Sequence, residues 1–190
     1  VRITQFIDNT DELFKDAVEE LKKDGMQALM IDVRSDPGGM LTSVVNICDY
    51  LLPEGVIVSI KNKNGETEEE FKSTDDEQLD MPMVVLTNAY SASASEILTS
   101  ALKEFGAATV VGTNTYGKGI VQSVIPLGDG SAVKLTTQKY FTHDGNDIHK
   151  KGVAPDIEVE LPDDYTYEDF QGKNDSQYQK GIEVLKGKLK

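Results

Sequence analysis

Residues 88 to 98 read NAYSASASEIL, and residues 112 to 119 read GTNTYGKG. The first stretch offers three hydroxyls, Ser91, Ser93 and Ser95, just ahead of an apolar, helix-like run. The second holds Lys118 between two glycines. A serine hydroxyl attacks a carbonyl only when a neighbouring base takes its proton. His143 and His149 lie in the polar stretch THDGNDIHKKG, with no convincing orienting carboxylate arrangement. A lysine replaces histidine in Ser-Lys hydrolases. It must then be neutral, with a pKa well below the reference of about 10.4. Burial among apolar groups achieves this, because desolvation penalises the charged form. Val110 and Val111 before Lys118, Ile120 and Val121 after it, and Tyr116 beside it predict such an enclosure. The plainer alternative is a turn lysine pointing into solvent.

Ser93 and Glu96 have the S-x-x-E spacing of a helix capping box, so Ser93 can serve simply to satisfy the first free amides of a helix. The same location suits a nucleophile, because a helix N-terminus supplies N–H groups and partial positive charge to an oxyanion. Residue types alone leave Ser91, Ser93 and Ser95 open. A further oxyanion donor is expected from DPGG, where Gly38 and Gly39 lack the side-chain bulk that keeps a backbone amide away from a carbonyl. GTNTYGKG also approaches the phosphate-binding pattern G-x-x-x-x-G-K-[ST]. Gly119 stands where that pattern needs a hydroxyl for magnesium, and IVQSVIPL after it reads as a strand, not the helix that would hold phosphate.

These residues must be positioned by an alternation of strands and helices. Val1 to Phe6 reads as a strand. NTDELFKDAVEELKKDG reads as a helix capped by Asn9 or Thr10, stopped at Gly25, with Leu13, Phe14, Ala17, Val18 and Leu21 on one face. ALMIDV, MPMVVLTN and ATVVG are short apolar runs of the buried parallel-strand type. Met40 to Leu52 and Glu96 to Phe105 read as helices, and VIVSI as a strand. Residues 61 to 80 read as a polar surface hairpin or mobile loop. Ile120 to Thr142 reads as strand, Gly-Asp-Gly turn, long strand. This order predicts an α/β class with largely parallel strands.

Composition narrows the function classes. Of 190 residues, 38% are hydrophobic and 27% charged, which suits one soluble domain with a sizeable core. The net charge of −14 argues against a nucleic-acid partner and against docking on anionic lipid. Cys48 is the single cysteine, so no intramolecular disulfide is expected, and no Cys/His cluster with zinc-ligand spacing exists. Neither a bilayer-spanning run nor a signal peptide is visible.

DVRSDPGG, SASASEI, TYGKGIVQ and SAVKLTTQKYFTHDGNDIHKKGVAPDI, in this order between about residues 1 and 160, resemble the carboxyl-terminal processing peptidases (tail-specific proteases, peptidase family S41). The resemblance implies that Ser93 is the nucleophile, Lys118 its base and Gln122 the residue that orients the lysine. It implies an oxyanion hole from Gly38 or Gly39 together with Ala94, and a possible supporting acid at Glu104. The implied fold is a ClpP/crotonase-like α/β core of mainly parallel strands with flanking helices, spanning residues 1–162. Residues 163–190 are then an acidic, weakly helical tail, expected to be partly disordered. DVRSDPGG departs from the family's more frequent Leu and Asn but keeps the glycines.

The implied activity is cofactor-free and metal-free serine endopeptidase cleavage of unfolded or C-terminally exposed protein substrates near their C-termini. Implied partners are a PDZ domain, which normally precedes such a core and is absent from this chain, and a second copy of the full-length protein. The implied location is extracytoplasmic, at the membrane through an upstream segment. The alternative in a different class is a non-catalytic ligand- or peptide-binding module on the same fold.

Overall fold

The computed structural model describes residues 1–74 and 78–189. Its first helix, α1 (Thr10–Lys23), carries Asp11 and Glu12 in its first turn and Lys22 and Lys23 in its last, matching the helix dipole at both ends. The buried face is narrower than the sequence predicts. Phe14 and Val18 are buried, while Leu13 and Leu21 are exposed. In chain order there follow β1 (Leu29–Asp32), α2 (Leu41–Leu51), β2 (Gly55–Asn62), β3 (Thr67–Ser73), β4 (Met83–Thr87), α3 (Ala94–Glu104), β5 (Ala108–Gly112), β6 (Ile120–Pro126), β7 (Ala132–Phe141), β8 (Ile157–Glu158) and α4 (Ser176–Lys188).

The apolar runs form a parallel sheet in the order β1-β4-β5-β8. All five residues of β4 are buried, as expected for a strand covered on both faces. On one face Ile31, Met83, Val85 and Val110 pack with Phe14, Val18, Val44, Ile47, Leu51, Leu98 and Leu102 of the first three helices. On the other, Val84, Leu86 and Val111 meet Leu185, Tyr178 and Val184 of α4. The mainly parallel α/β core is therefore present. Beside it lies an antiparallel sheet, β3-β2-β7-β6. Its β6–β7 hairpin is the strand, turn and long strand legible in the sequence. The β2–β3 hairpin occupies the acidic stretch read as a surface hairpin, of which residues 75–77 lie outside the described residues.

Two expectations are corrected. Val1 to Phe6 is not a strand but makes isolated bridges, Arg2 to Asp32 and Phe6 to Gly39. The stretch after residue 162, expected to be partly disordered, is ordered as far as Leu189 and folds back on the sheet. Its anchor is Arg34, whose guanidinium donates to Asp32 at 2.7 Å, to Asp175 at 2.8 and 2.9 Å, and to Gln177 at 3.2 Å. Asp175 in turn caps α4 by accepting from Tyr178 N. Among the described residues, no helix is long and apolar enough to cross a membrane.

The sheet order brings the chemistry-bearing loops together. The segments after β1, β4 and β5 are DPGG, SASAS and TYGKG, and these three strands are immediate neighbours. All three loops leave carboxyl ends of adjacent parallel strands, where open α/β sheets form their binding crevices.

Candidate active site

The three serines have different surroundings. The Ser91 hydroxyl is buried, donating to the Val33 carbonyl at 2.8 Å and accepting from Asn88 N. The Ser95 hydroxyl is also buried and donates to the Asp36 carbonyl at 3.1 Å. Ser93 alone of the three is partly exposed. Its backbone, at φ +57° and ψ −113°, lies far from the extended geometry of an ordinary N-cap. A non-glycine residue held there costs on the order of 1–3 kcal/mol, and such residues cluster at functional sites. The turn that presents Ser93 is braced by Gly38. A Cβ on Gly38 would lie 2.8 Å from both Ala94 N and Ser93 Cβ, so the DPGG turn lies directly against the start of α3 only because this position is glycine.

Glu96 does more than close the helix cap. It is fully buried, and its Oε2 accepts from Ser93 N at 2.9 Å and from Lys118 N at 2.8 Å. Its Oε1 accepts from Gly117 N and from the Thr115 hydroxyl, both at 2.6 Å. One carboxylate oxygen thus joins the main chain of the serine turn to that of the lysine turn, through charge-assisted hydrogen bonds. Tyr116 N, bonded to the Ser91 carbonyl at 3.0 Å, adds a second tie. The capping-box spacing pointed to Glu96, but only to its local bond. The same bonds remove the phosphate-loop alternative, because the Gly117 and Lys118 amides that would cradle phosphate are directed at Glu96, and the loop leads into β6 and not into a helix.

Lys118 is exposed, which corrects the expected apolar enclosure. Val110 and Val111 turn into the sheet interior, and Ile120 and Val121 begin the outlying β6–β7 hairpin. The lysine instead forms one wall of an open cleft of about 520 Å³, shared with Ser35, Pro37, Tyr90, Ala92 and Tyr116. Gln122 is exposed on β6 and makes no hydrogen bond to Lys118 among the described residues. Glu104 stands at the opposite end of α3 from Ser93. Its carboxylate accepts from Thr142 Oγ1, Asp144 N and Asn146 Nδ2, which makes it a clasp for the turn after β7 and separates it from the serine and lysine.

The remaining donors differ as well. Gly38 N is occupied by Asp36 Oδ1 at 2.8 Å. Gly39 N and Ala94 N make no hydrogen bond to the described residues. The two glycines that the sequence leaves equivalent are therefore distinguished: among the described residues the Gly38 amide has a partner, and the Gly39 and Ala94 amides have none.

A family model described as peptidase family S41 matches residues 1–159. The chain is 38% identical over 187 residues to a carboxyl-terminal-processing protease of Synechocystis sp. (strain ATCC 27184 / PCC 6803 / Kazusa), covering 98% of this chain and 43% of that protein. It is 44% identical over 164 residues to the carboxy-terminal processing protease CtpB of Bacillus subtilis (strain 168), covering 86% of this chain and 34% of that protein. Among solved structures, a photosystem II D1 C-terminal processing protease superposes with a TM-score of 0.83 at 34% identity, over 97% of this chain and 47% of that one. The chain spans less than half the length of these relatives.

Proposed function

The chain belongs to peptidase family S41, and from that premise we propose that it is the catalytic core of a serine endopeptidase working through a Ser93–Lys118 dyad. The observation that supports this best is the shared Glu96 oxygen, which fastens the partly exposed, strained Ser93 and the lysine loop to one point. Neutral Lys118 takes the Ser93 proton as Oγ attacks the scissile carbonyl carbon. The carbonyl oxygen becomes an oxyanion received by Gly39 N–H and Ala94 N–H, and losing one such donor typically costs about 3 kcal/mol of barrier. The lysine returns its proton to the leaving amine. Lys118 then takes a proton from a water that attacks the acyl carbon, and returns it to Ser93 Oγ as the acyl C–O bond breaks.

Lys118 stands exposed on the wall of an open cleft, so a substrate that fills the cleft covers the amine. An extended polypeptide fits that role, with Tyr90, Tyr116, Pro37 and Ala92 offering apolar contact. Gln122, four residues beyond the lysine, is proposed to orient it in that covered state. Substrates with free, unstructured C-termini, a gating PDZ domain, dimerisation and an extracytoplasmic location are proposals supported by the family resemblance. The test is cleavage of an unstructured protein with an apolar tail by the full-length protein. Ser93→Ala and Lys118→Ala are each expected to abolish it with folding retained. Normal cleavage by Ser93→Ala contradicts the proposal, and absence of cleavage by the wild type would favour a module that only binds.

A further inference from the structure

The turn that carries Gly38 and Gly39 is fastened by a side chain with no part in the acyl-transfer steps. Asp36 is wholly inaccessible. Its Oδ1 accepts from Gly38 N at 2.8 Å, and its backbone carbonyl accepts from Ala92 N at 3.0 Å and from the Ser95 hydroxyl at 3.1 Å. The residue therefore ties the glycine turn to the chain on both sides of Ser93. Its Oδ2 is buried without a hydrogen-bond partner among the described residues. Holding one amide needs one oxygen, and the second makes ionisation costly, since a buried charge lacking partners is far less tolerable than a neutral group.

Burial pushes the Asp36 carboxyl up to about 6, against the opposing pull of the Gly38 amide and Ser95 hydroxyl. The charged groups on the surrounding elements are engaged elsewhere. Arg34 and Asp32, on its own turn and strand, pair with each other, and Arg34 also with Asp175. Glu96 on α3 is filled by Ser93 and the lysine loop. Lys118 stands exposed on the cleft wall.

We propose that Asp36 is a positioning residue for the oxyanion-binding amides and that its proton controls how well they serve. Protonated, it holds the Gly38 amide without adding charge. Ionised, it places an unpaired negative charge on the same turn whose next amide must receive the substrate's oxyanion, and like charges in a water-poor site oppose each other.

This inference rests on Ser93 being the nucleophile, and the test separates the two. In the full-length protein, phosphonylation of Ser93 by a fluorophosphonate probe is followed across pH for wild type, Asp36→Asn and Asp36→Ala, with the maximal rate and the probe's half-saturation resolved. Asn keeps the acceptor for Gly38 N and removes the charge. The ratio of the Asp36→Asn to wild-type maximal rate is expected near one at about pH 5 and about threefold or more above about pH 7, with half-saturation unchanged. Asp36→Ala, which loses both the charge and the acceptor, is expected to be about tenfold slower than Asp36→Asn throughout. A flat Asn-to-wild-type ratio overturns the proposal while leaving Ser93 as nucleophile. A probe that never labels Ser93 in the wild type overturns both. Should the Ala variant fail to fold, the Asn ratio decides alone.

Discussion

Asp32 and Asp36 are four residues apart on one strand end, and both are almost wholly buried. Their treatment is opposite. Asp32 receives Arg34 through both oxygens, at 3.0 and 2.7 Å, and that guanidinium continues to Asp175 and Gln177 at the start of α4. Asp36 receives one amide and keeps an empty oxygen. On the clamp side, hydrogen bonds fill the groups because the task is to hold a helix in place. On the cleft side, an empty oxygen, two free amides and an exposed amine remain, and these are groups that a substrate or a proton would complete. The same eight residues, DVRSDPGG, thus supply a structural lock and, in the proposed function, the rim of the reaction site.

The comparison can be broken from either side. The largest expected effect lies in the clamp. Arg34→Met leaves Asp32 and Asp175 buried without their cation, and breaking such a pair costs about 3–5 kcal/mol. Denaturant unfolding should show this loss together with detachment of α4. Despite burial, Arg34 and the Tyr178 and Gln171 amides hold the Asp175 carboxyl below the usual range. Its contribution is therefore present above the ordinary carboxylate pKa and is lost as pH falls through the lowered one. A variant as stable as wild type would mean that the clamp holds nothing.

Asp36→Asn should do the reverse. The native carboxyl is raised from 3.8 to about 6, so the folded state binds its proton more tightly than the unfolded chain does. Stability therefore falls as pH rises from about 4 to about 6, by about 3 kcal/mol. The Asn variant, lacking that penalty, should gain about this much at neutral pH and little in acid, measured by urea unfolding at both. Equal gains at both would remove the charge from the explanation.

A smaller effect, about 2 kcal/mol, is expected for Glu96→Gln, which turns a charged acceptor of four hydrogen bonds into a neutral one whose NH2 faces donors. Slower Ser93 labelling should accompany it. Smallest is Glu104→Ala, about 1 kcal/mol of stability with unchanged labelling rate. A lost labelling rate there would return Glu104 to the site.

Much of this was legible from local pattern. The apolar runs at residues 28–33, 81–88 and 108–112 announced buried parallel strands, and the loops after them carried the chemistry-bearing residues. Contacts remote in sequence were not legible. Arg34 and Asp175 are separated by 141 positions, and residues 163–190 have weak helical periodicity, so nothing local signalled their docking. Glu96 announced only its bond three residues back, because capping-box spacing carries no information about a loop some twenty residues ahead. Lys118 misled for a related reason. Apolar neighbours in sequence do not enclose a side chain when one pair is committed to a sheet interior and the other opens an outlying hairpin. Gly38 and Gly39 became distinguishable only once the Asp36 side chain was seen to occupy one of their two amides.

The central claim is that one hydroxyl and one amine, fastened through Glu96, act as a pair. It is tested most directly by mapping the fluorophosphonate adduct by mass spectrometry in full-length wild type and Lys118→Met. A single adduct on Ser93, with labelling lost or slowed at least about a thousandfold in the Met variant, is the predicted result. Labelling of Ser93 at the wild-type rate without Lys118, or an adduct on another residue, would contradict it.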